Sequence, residues 1–135
     1  MKYYLVFLIP FFFGCSSIQK GSLQEFEGTW SGHYYYQGEP VDEVAFTATF
    51  TQEGMRIKGN IVEPNTFGST DAANLQATVE GEVTDTGEIK FIKTYDGTGG
   101  VTHSVEYKGQ RKKHAVNGGW TIDNGTAGRF QMQRD

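Results

Sequence analysis

The sequence predicts an all-β domain: an up-and-down barrel of eight antiparallel strands. Three observations lead to this fold class. From Gly28 onward, apolar and polar residues alternate with a period of two in short stretches. Turn residues separate the stretches, with 18 glycines in 135 residues. No stretch shows convincing helical periodicity. Eight short strands joined by tight turns favour a closed barrel, with a two-sheet sandwich as the structural alternative.

The N-terminal stretch MKYYLVFLIPFFFGCSS is typical of a secretory signal peptide. Its apolar run from Tyr3 to Phe13 is too short to cross a bilayer core, which takes about 20 residues. The ending FFGC resembles the bacterial lipobox, in which a small residue precedes an invariant cysteine. Phe12 departs from that motif, which usually has leucine there. The resemblance implies cleavage before Cys15 and attachment of lipid to its sulfur and new α-amino group.

Cys15 is the only cysteine in the chain, so an exported form of this protein has no disulfide partner for it. Acylation explains that count better than a stray thiol, although an ordinary signal peptide with an incidental cysteine is the alternative. Several acyl chains, such as palmitate, give stable anchoring where one would be marginal. Ser16 follows the cysteine, a pattern that resembles outer-membrane sorting in enterobacteria.

The predicted organisation is a signal peptide over residues 1–14, a lipidated cysteine and polar tether over 15–27, and the barrel over 28–135. We expect a cell-envelope protein that is lipid-anchored in the outer membrane and faces the periplasm or the exterior. The membrane is its expected partner through the lipid. The formal net charge is -4, and the short basic turn QRKKH cannot track a phosphate backbone, so no nucleic-acid partner is expected. No cofactor is predicted, and the sequence does not indicate an oligomeric state.

The eight strands are predicted at residues 29–37, 43–52, 55–63, 74–83, 88–95, 101–108, 115–122 and 126–134. Side-chain direction constrains the turns between them. Phe50 and Ile57 both point inward only if a two-residue loop joins their strands, and Glu53 with Gly54 supplies it. In the same way, the residues Asp-Asn-Gly at 123–125 predict a three-residue loop before the last strand.

The start of the first strand, Gly28-Thr29-Trp30, resembles the Gly-x-Trp motif of lipocalins and related calycins. In that family a basic residue near the end of the last strand packs across the tryptophan and closes the barrel floor. Arg134 is the matching candidate. The usual helix before the last strand and a second loop motif are missing, and avidin's set of biotin-contacting residues is not found. The resemblance therefore implies a calycin-like fold and a ligand-binding function, but it does not indicate which ligand is bound.

Strand order places a group of inward-facing polar and aromatic residues at the end of the barrel opposite Trp30, which we call the mouth. They are the candidate ligand-binding residues: Tyr34, Tyr36, Glu63, Lys93, Tyr95, His103 and Trp120. A five-residue turn over 96–100 predicts that Lys93 lies directly opposite His103.

Three interpretations of this group remain open. In the first, Lys93 pairs with Glu63, tyrosine hydroxyls satisfy the remaining polar groups, and side chains fill the barrel interior completely. Alternatively, the mouth is a cup that holds a small ligand, and an anionic or carboxylate-bearing one would suit Lys93. Acid–base catalysis is the third, although no nucleophile with its base is evident and an enzyme is not predicted. No two histidines stand at metal-ligand spacing.

A different class of function is an envelope inhibitor or assembly protein that acts through its mouth loops. The longest of these, PNTFGSTDAA at 64–73, carries Phe67 at its middle.

Overall fold

The computed structural model describes residues 26–38 and 43–135. They form a closed barrel in which each strand pairs with the next along the chain and β8 pairs with β1, all antiparallel. The strands are β1 (Gly28–Tyr36), β2 (Val44–Glu53), β3 (Arg56–Pro64), β4 (Asn74–Val83), β5 (Glu88–Tyr95), β6 (Ser104–Lys112), β7 (Ala115–Thr121) and β8 (Ala127–Arg134). The predicted fold class is confirmed, and the up-and-down topology is consistent with a calycin-like barrel. Within the described residues, no helix has the length and apolar character needed to cross a bilayer.

The barrel interior is filled by alternate side chains of every strand. In β2, for example, Val44, Phe46, Ala48 and Phe50 are buried while the residues between them are exposed. Such alternation follows from the pleat, which sends successive side chains to opposite faces of a sheet. The centre of the core is formed by large apolar side chains, among them Trp30, Phe50, Ile57, Ile61, Leu75, Phe91, Phe130 and Met132.

Phe26 closes the floor of the barrel. Its ring stacks on Trp30 with centroids 4.7 Å apart, and the Trp30 indole N–H donates to its carbonyl at 3.0 Å. Phe26 lies in the segment predicted to be a polar tether, but only 1% of it is exposed, so the core begins before Gly28. The predicted signal peptide, Cys15 and the tether up to residue 25 lie outside the described residues.

The two turns predicted from side-chain direction are present. A two-residue loop joins β2 to β3, but it consists of Gly54 and Met55, one residue later than predicted, because Glu53 pairs with Arg56. The loop before β8 has three residues and ends at Gly125, whose φ of 86° is the left-handed conformation expected there.

The predicted register of the β5–β6 hairpin is wrong by two residues. The backbone N–H of Gly97 donates to the carbonyl of Val101, so the turn holds three residues, Thr98–Gly100, instead of five. Positive φ angles at Gly97 and Gly99 (98° and 70°) allow this tighter closure. Lys93 consequently faces Val105 and not His103. A shift of two residues leaves every side chain on its predicted face.

Candidate functional site at the barrel mouth

The odd-numbered strands bring most of the predicted site residues to the mouth, because these strands run from the floor upward. β1 carries Tyr34 and Tyr36, β3 carries Glu63 near its end, β5 carries Lys93 and Tyr95, and β7 carries Trp120. Within this set the structure forms two groups. We call Glu63, Lys93 and Tyr95 the Lys93 cluster, and Tyr34, Tyr36 and Trp120 the Trp120 cluster.

The Lys93 cluster is a buried ion pair bridged by a phenol. Lys93 Nζ lies 3.0 Å from Glu63 Oε2 and 2.9 Å from the Tyr95 hydroxyl, which in turn donates to Glu63 Oε1. Only 1% of Lys93 and 2% of Glu63 is exposed. The first of the three interpretations, that Glu63 and a tyrosine hydroxyl satisfy Lys93, therefore describes this part of the site.

Aromatic rings surround the Lys93 ammonium on its other sides. Nζ lies 4.5 Å from the centroid of Tyr95, 5.2 Å from that of Tyr34 and 6.0 Å from that of Tyr107. A desolvated cation over a ring gains about 2 kcal/mol, which offsets part of the cost of burying it. Tyr107 was not among the predicted site residues. In the β5–β6 pairing it lies opposite Phe91, two residues along β5 from Lys93.

Burial and the charge of Glu63 keep the tyrosines of the mouth protonated. Burial, and secondarily the Glu63 carboxylate, raises the pKa of Tyr34, Tyr95 and Tyr107 well above the ordinary value. The pKa of Lys93 is lowered by its burial, and Glu63 opposes that shift. The hydroxyls of this site thus remain hydrogen-bond donors across the physiological range.

The three rings of the Trp120 cluster pack edge to face. Trp120 meets Tyr34 at a centroid distance of 6.0 Å and an angle of 82°, and Tyr36 at 5.1 Å and 90°. Tyr34 and Trp120 are buried, whereas 42% of Tyr36 is exposed. Tyr36, predicted to point into the mouth, is therefore the ring that covers the other two from solvent.

Gly128 shapes the Trp120 cluster from β8. It pairs with Tyr36 on one side and with Trp120 on the other. A Cβ at this position would lie 2.6 Å from atoms of the indole ring. The missing side chain therefore gives the indole room to lie across β8 toward Tyr36, a feature that the alternation pattern could not indicate.

Two hydrogen-bonding groups of this cluster are buried without a partner. Among residues 26–38 and 43–135, neither the Tyr34 hydroxyl nor the Trp120 indole nitrogen has an acceptor or donor in hydrogen-bond geometry. Glu63 and Tyr95 nevertheless lie close enough to the Tyr34 hydroxyl for weak hydrogen bonding outside regular geometry. The Trp120 indole nitrogen is therefore the more completely unpartnered of the two groups. An unsatisfied buried polar group costs about 1–3 kcal/mol, so such groups are uncommon and need an explanation.

His103 does not join the buried site. It is exposed and packs against Tyr95 and Phe67, with centroids 4.9 Å and 6.0 Å away. The prediction that it lies across from Lys93 is wrong because the tighter turn moves it opposite Tyr95, at the rim.

The loop from 65 to 73 holds Phe67 over this rim. Asn65 fixes the loop by accepting from the backbone of Gly68 at 2.7 Å and donating to the carbonyl of Ala72 at 2.8 Å. The backbone N–H of Ser69 donates to Gly99 in the β5–β6 turn. Phe67 then meets Tyr95 edge-on at 5.7 Å. The sequence singled out Phe67, but nothing in it indicated this contact.

At the floor, Trp30 and Arg134 lie directly opposite each other in the β1–β8 pairing. The packing of the guanidinium across the indole, which the calycin resemblance implies, stays a prediction. The Arg134 guanidinium donates to the carbonyl of Glu27. In the part of the chain that the structure describes, no three histidine, cysteine or carboxylate side chains gather to hold a metal ion.

Neither protein-family models nor curated protein sequences compared with this chain give a match. Solved structures do resemble it. A redesigned β-barrel superposes with a TM-score of 0.62 and 13% identity, covering 85% of this chain and 93% of that one. A de novo designed fluorescence-activating β-barrel superposes with a TM-score of 0.59 and 16% identity, covering 84% and 97% of the two chains. At these identities the likeness establishes a shared barrel fold and leaves the function to the site itself.

Proposed function

We propose that this protein is a lipid-anchored envelope protein whose calycin-like barrel binds one small molecule at its mouth, between Tyr34 and Trp120. The observation that carries the proposal is the buried indole N–H of Trp120, which has no partner among residues 26–38 and 43–135, beside a Tyr34 hydroxyl that none of these residues bonds in regular geometry. Apolar walls with a few convergent polar groups are the usual form of a small-molecule site. A ligand oxygen that accepts from both groups would remove the cost of leaving them unsatisfied.

The route into the site leads past Tyr36. This ring is partly exposed and meets Trp120 edge-on, so rotating it outward would uncover the indole without disturbing the Lys93 cluster. The ligand would then lie against Tyr34 and Trp120, with the Lys93 cluster beneath it as a fixed base. Lys93 itself is unsuited to hold an anion, because its charge is already matched by Glu63 at 3.0 Å.

Native mass spectrometry of the protein purified from its own envelope tests the binding proposal. We expect a retained small molecule in the wild-type protein and its loss when Tyr34→Phe and Trp120→Phe are combined. Tyr35→Phe is the matched control, since it removes a hydroxyl from the adjacent residue of β1, whose side chain points to the other face. A double variant that retains the same molecule as the wild type would overturn the mouth site.

The anchoring proposal has a separate test. Cys15→Ala should move the protein from the membrane fraction to the soluble fraction, because no acylated residue would remain. Ser16→Ala serves as the control and should leave the protein in the membrane fraction. Protein that stays membrane-bound after Cys15→Ala would contradict lipid anchoring and leave the binding proposal untouched.

The second candidate function is contact with an envelope partner through the mouth loops. The hydrogen bonds of Asn65 favour it, because they hold the loop in a set shape with 42% of Phe67 exposed. Under this function, Phe67→Ala would abolish co-purification of a partner protein while Tyr34→Phe would not. The reverse result would favour the small-molecule site.

A further inference from the structure

The chemistry of the Trp120 cluster narrows the class of ligand that the proposed site would accept. An indole N–H donates a hydrogen bond and cannot accept one. The Tyr34 hydroxyl stays protonated, because burial and the Glu63 charge raise its pKa. The Trp120 indole N–H therefore calls for an acceptor, such as a carbonyl or ether oxygen, and the Tyr34 hydroxyl on the neighbouring ring is a second donor.

The charge of the site argues against an anion. The buried positive charge of Lys93 is taken up by Glu63, and the pair sums to zero. The influence of the Glu63 carboxylate reaches the Trp120 cluster, where it contributes to the raised pKa of both Tyr34 and Tyr36. A carboxylate ligand would be desolvated there beside another carboxylate, whose cation, Lys93, is already paired with it.

The site is also unsuited to a cationic ligand. The ammonium already held by Tyr34, Tyr95 and Tyr107 is that of Lys93, with its Nζ 4.5–6.0 Å from their centroids. A second ammonium would be buried close to it. It would also face the indole N–H of Trp120, which offers it no acceptor.

The walls favour a compact apolar body. Tyr36 and Trp120 present ring edges and faces, and Phe46 lies behind Tyr34 at a centroid distance of 6.5 Å. We infer that the ligand of the mouth is a small, uncharged, apolar molecule with one acceptor oxygen, as in a cyclic ketone, an ester or a lactone. This inference rests on the proposed function and adds the ligand class to it.

The indole N–H signals of the two tryptophans can report ligand binding at the mouth. In the full chain labelled with ¹⁵N-tryptophan, Trp30 and Trp120 give separate indole N–H signals, and Trp120→Phe assigns them. The Trp30 signal is an internal reference, because its N–H is already bonded to Phe26 at the floor. Cyclohexanone, cyclohexanecarboxylate and cyclohexylammonium are matched probes that share a ring and differ in charge.

We expect cyclohexanone to move the Trp120 signal downfield and saturably, with the Trp30 signal unchanged. The two charged probes should bind at least about tenfold more weakly. Tyr34→Phe should weaken cyclohexanone binding about threefold to tenfold, the effect of one net hydrogen bond. Tyr35→Phe should leave it unchanged.

Two results would overturn the inference. If either charged probe saturates the Trp120 signal at the same or lower concentration than cyclohexanone, the ligand class is wrong while the mouth site stands. If no probe moves the signal, the ligand class is also wrong. Native mass spectrometry of the envelope-purified protein then decides whether the mouth site fails with it.

Discussion

Lys93 and Glu63 are charged side chains buried in a largely apolar interior. The surroundings of Lys93 explain how the barrel tolerates it. Glu63 and the Tyr95 hydroxyl bind its Nζ, and aromatic rings cover the remaining directions. The period-two pattern was enough to predict that Lys93 and Glu63 point inward and are close. The pattern does not indicate which hydrogen bonds form, because these depend on the relative height of strands separated by β4.

Removing one partner of this pair should be costly. Lys93→Met leaves the Glu63 carboxylate buried without a cation, so we expect a loss of about 3–5 kcal/mol in the free energy of unfolding. Adding Glu63→Gln should restore most of it, since the amide oxygen still accepts from Tyr95 and no charge remains buried. Chemical denaturation measures both.

The control for this pair is Lys58 with Glu80, a cross-strand ion pair at 3.8 Å that is largely exposed. Lys58→Met should change stability little, because exposed ion pairs contribute little. A Lys93→Met variant as stable as the Lys58→Met variant would contradict a tightly coupled buried pair.

The buried tyrosines predict unfolding in alkali. The unfolded chain releases the phenol protons near pH 10, whereas Tyr34, Tyr95 and Tyr107 keep theirs in the folded barrel because their pKa is raised. Their contribution is present below pH 10 and is lost above it, by about 1.4 kcal/mol per pH unit for each phenol. Lys93, with a lowered pKa, acts in the opposite direction below 10.5.

Absorbance at 295 nm reports tyrosine ionisation and circular dichroism reports unfolding, so following both against pH checks the predicted unfolding in alkali. The buried phenols should ionise only as the barrel unfolds, and Tyr34→Phe should reduce the steepness of the pH dependence. Ionisation of all the tyrosines near pH 10 in a barrel that remains folded would contradict it.

At the scale of the elements, the sequence predicts where the strands lie and which side of the sheet each residue faces. It does not predict the register of the β5–β6 hairpin. Alternation determines which side of the sheet a residue occupies, so a shift of two residues is invisible to it. The turn over 96–100 is where the prediction failed, because Gly97 and Gly99 adopt positive φ angles and shorten it. That shift separates His103 from Lys93 and moves it to the rim.

Gly128 offers a test at this scale. Gly128→Ala would place a Cβ 2.0 Å from the Tyr35 carbonyl oxygen and 2.6 Å from the Trp120 ring, so the indole must move. We expect a loss of about 1–3 kcal/mol and a changed Trp120 indole N–H signal. Gly119→Ala, whose nearest neighbour would be 3.2 Å away, is the milder control. Equal effects of the two substitutions would show that Trp120 does not depend on Gly128.

The two ends of the barrel differ in the chemistry of their buried side chains. The floor is filled by Phe26, Trp30 and Phe50, whereas the mouth holds the unpartnered groups of Tyr34 and Trp120. The sequence predicted this polarity from strand order and the Gly-x-Trp start. It did not predict that Phe26 belongs to the floor, because the few apolar residues of that stretch, Ile18, Leu23 and Phe26, show no strand or helix periodicity.

Substituting two phenylalanines, one at the floor and one at the rim of the mouth, compares how tightly the two ends of the barrel are packed. Phe26→Ala should cost about 3–5 kcal/mol, since it empties a buried site beneath Trp30. Phe67→Ala, at the exposed rim, should cost about 1 kcal/mol or less. Urea unfolding of both variants gives the comparison, and equal losses would contradict the assignment of Phe26 to the core.

A high-resolution crystal structure of the protein purified from its own envelope would show whether a small molecule bonds to Tyr34 and Trp120. We predict electron density for a compact organic molecule with an oxygen within hydrogen-bond distance of the Tyr34 hydroxyl and Trp120 Nε1, with Tyr36 displaced outward. Density for water alone at that position, or an acceptor supplied by the protein itself, would contradict this prediction.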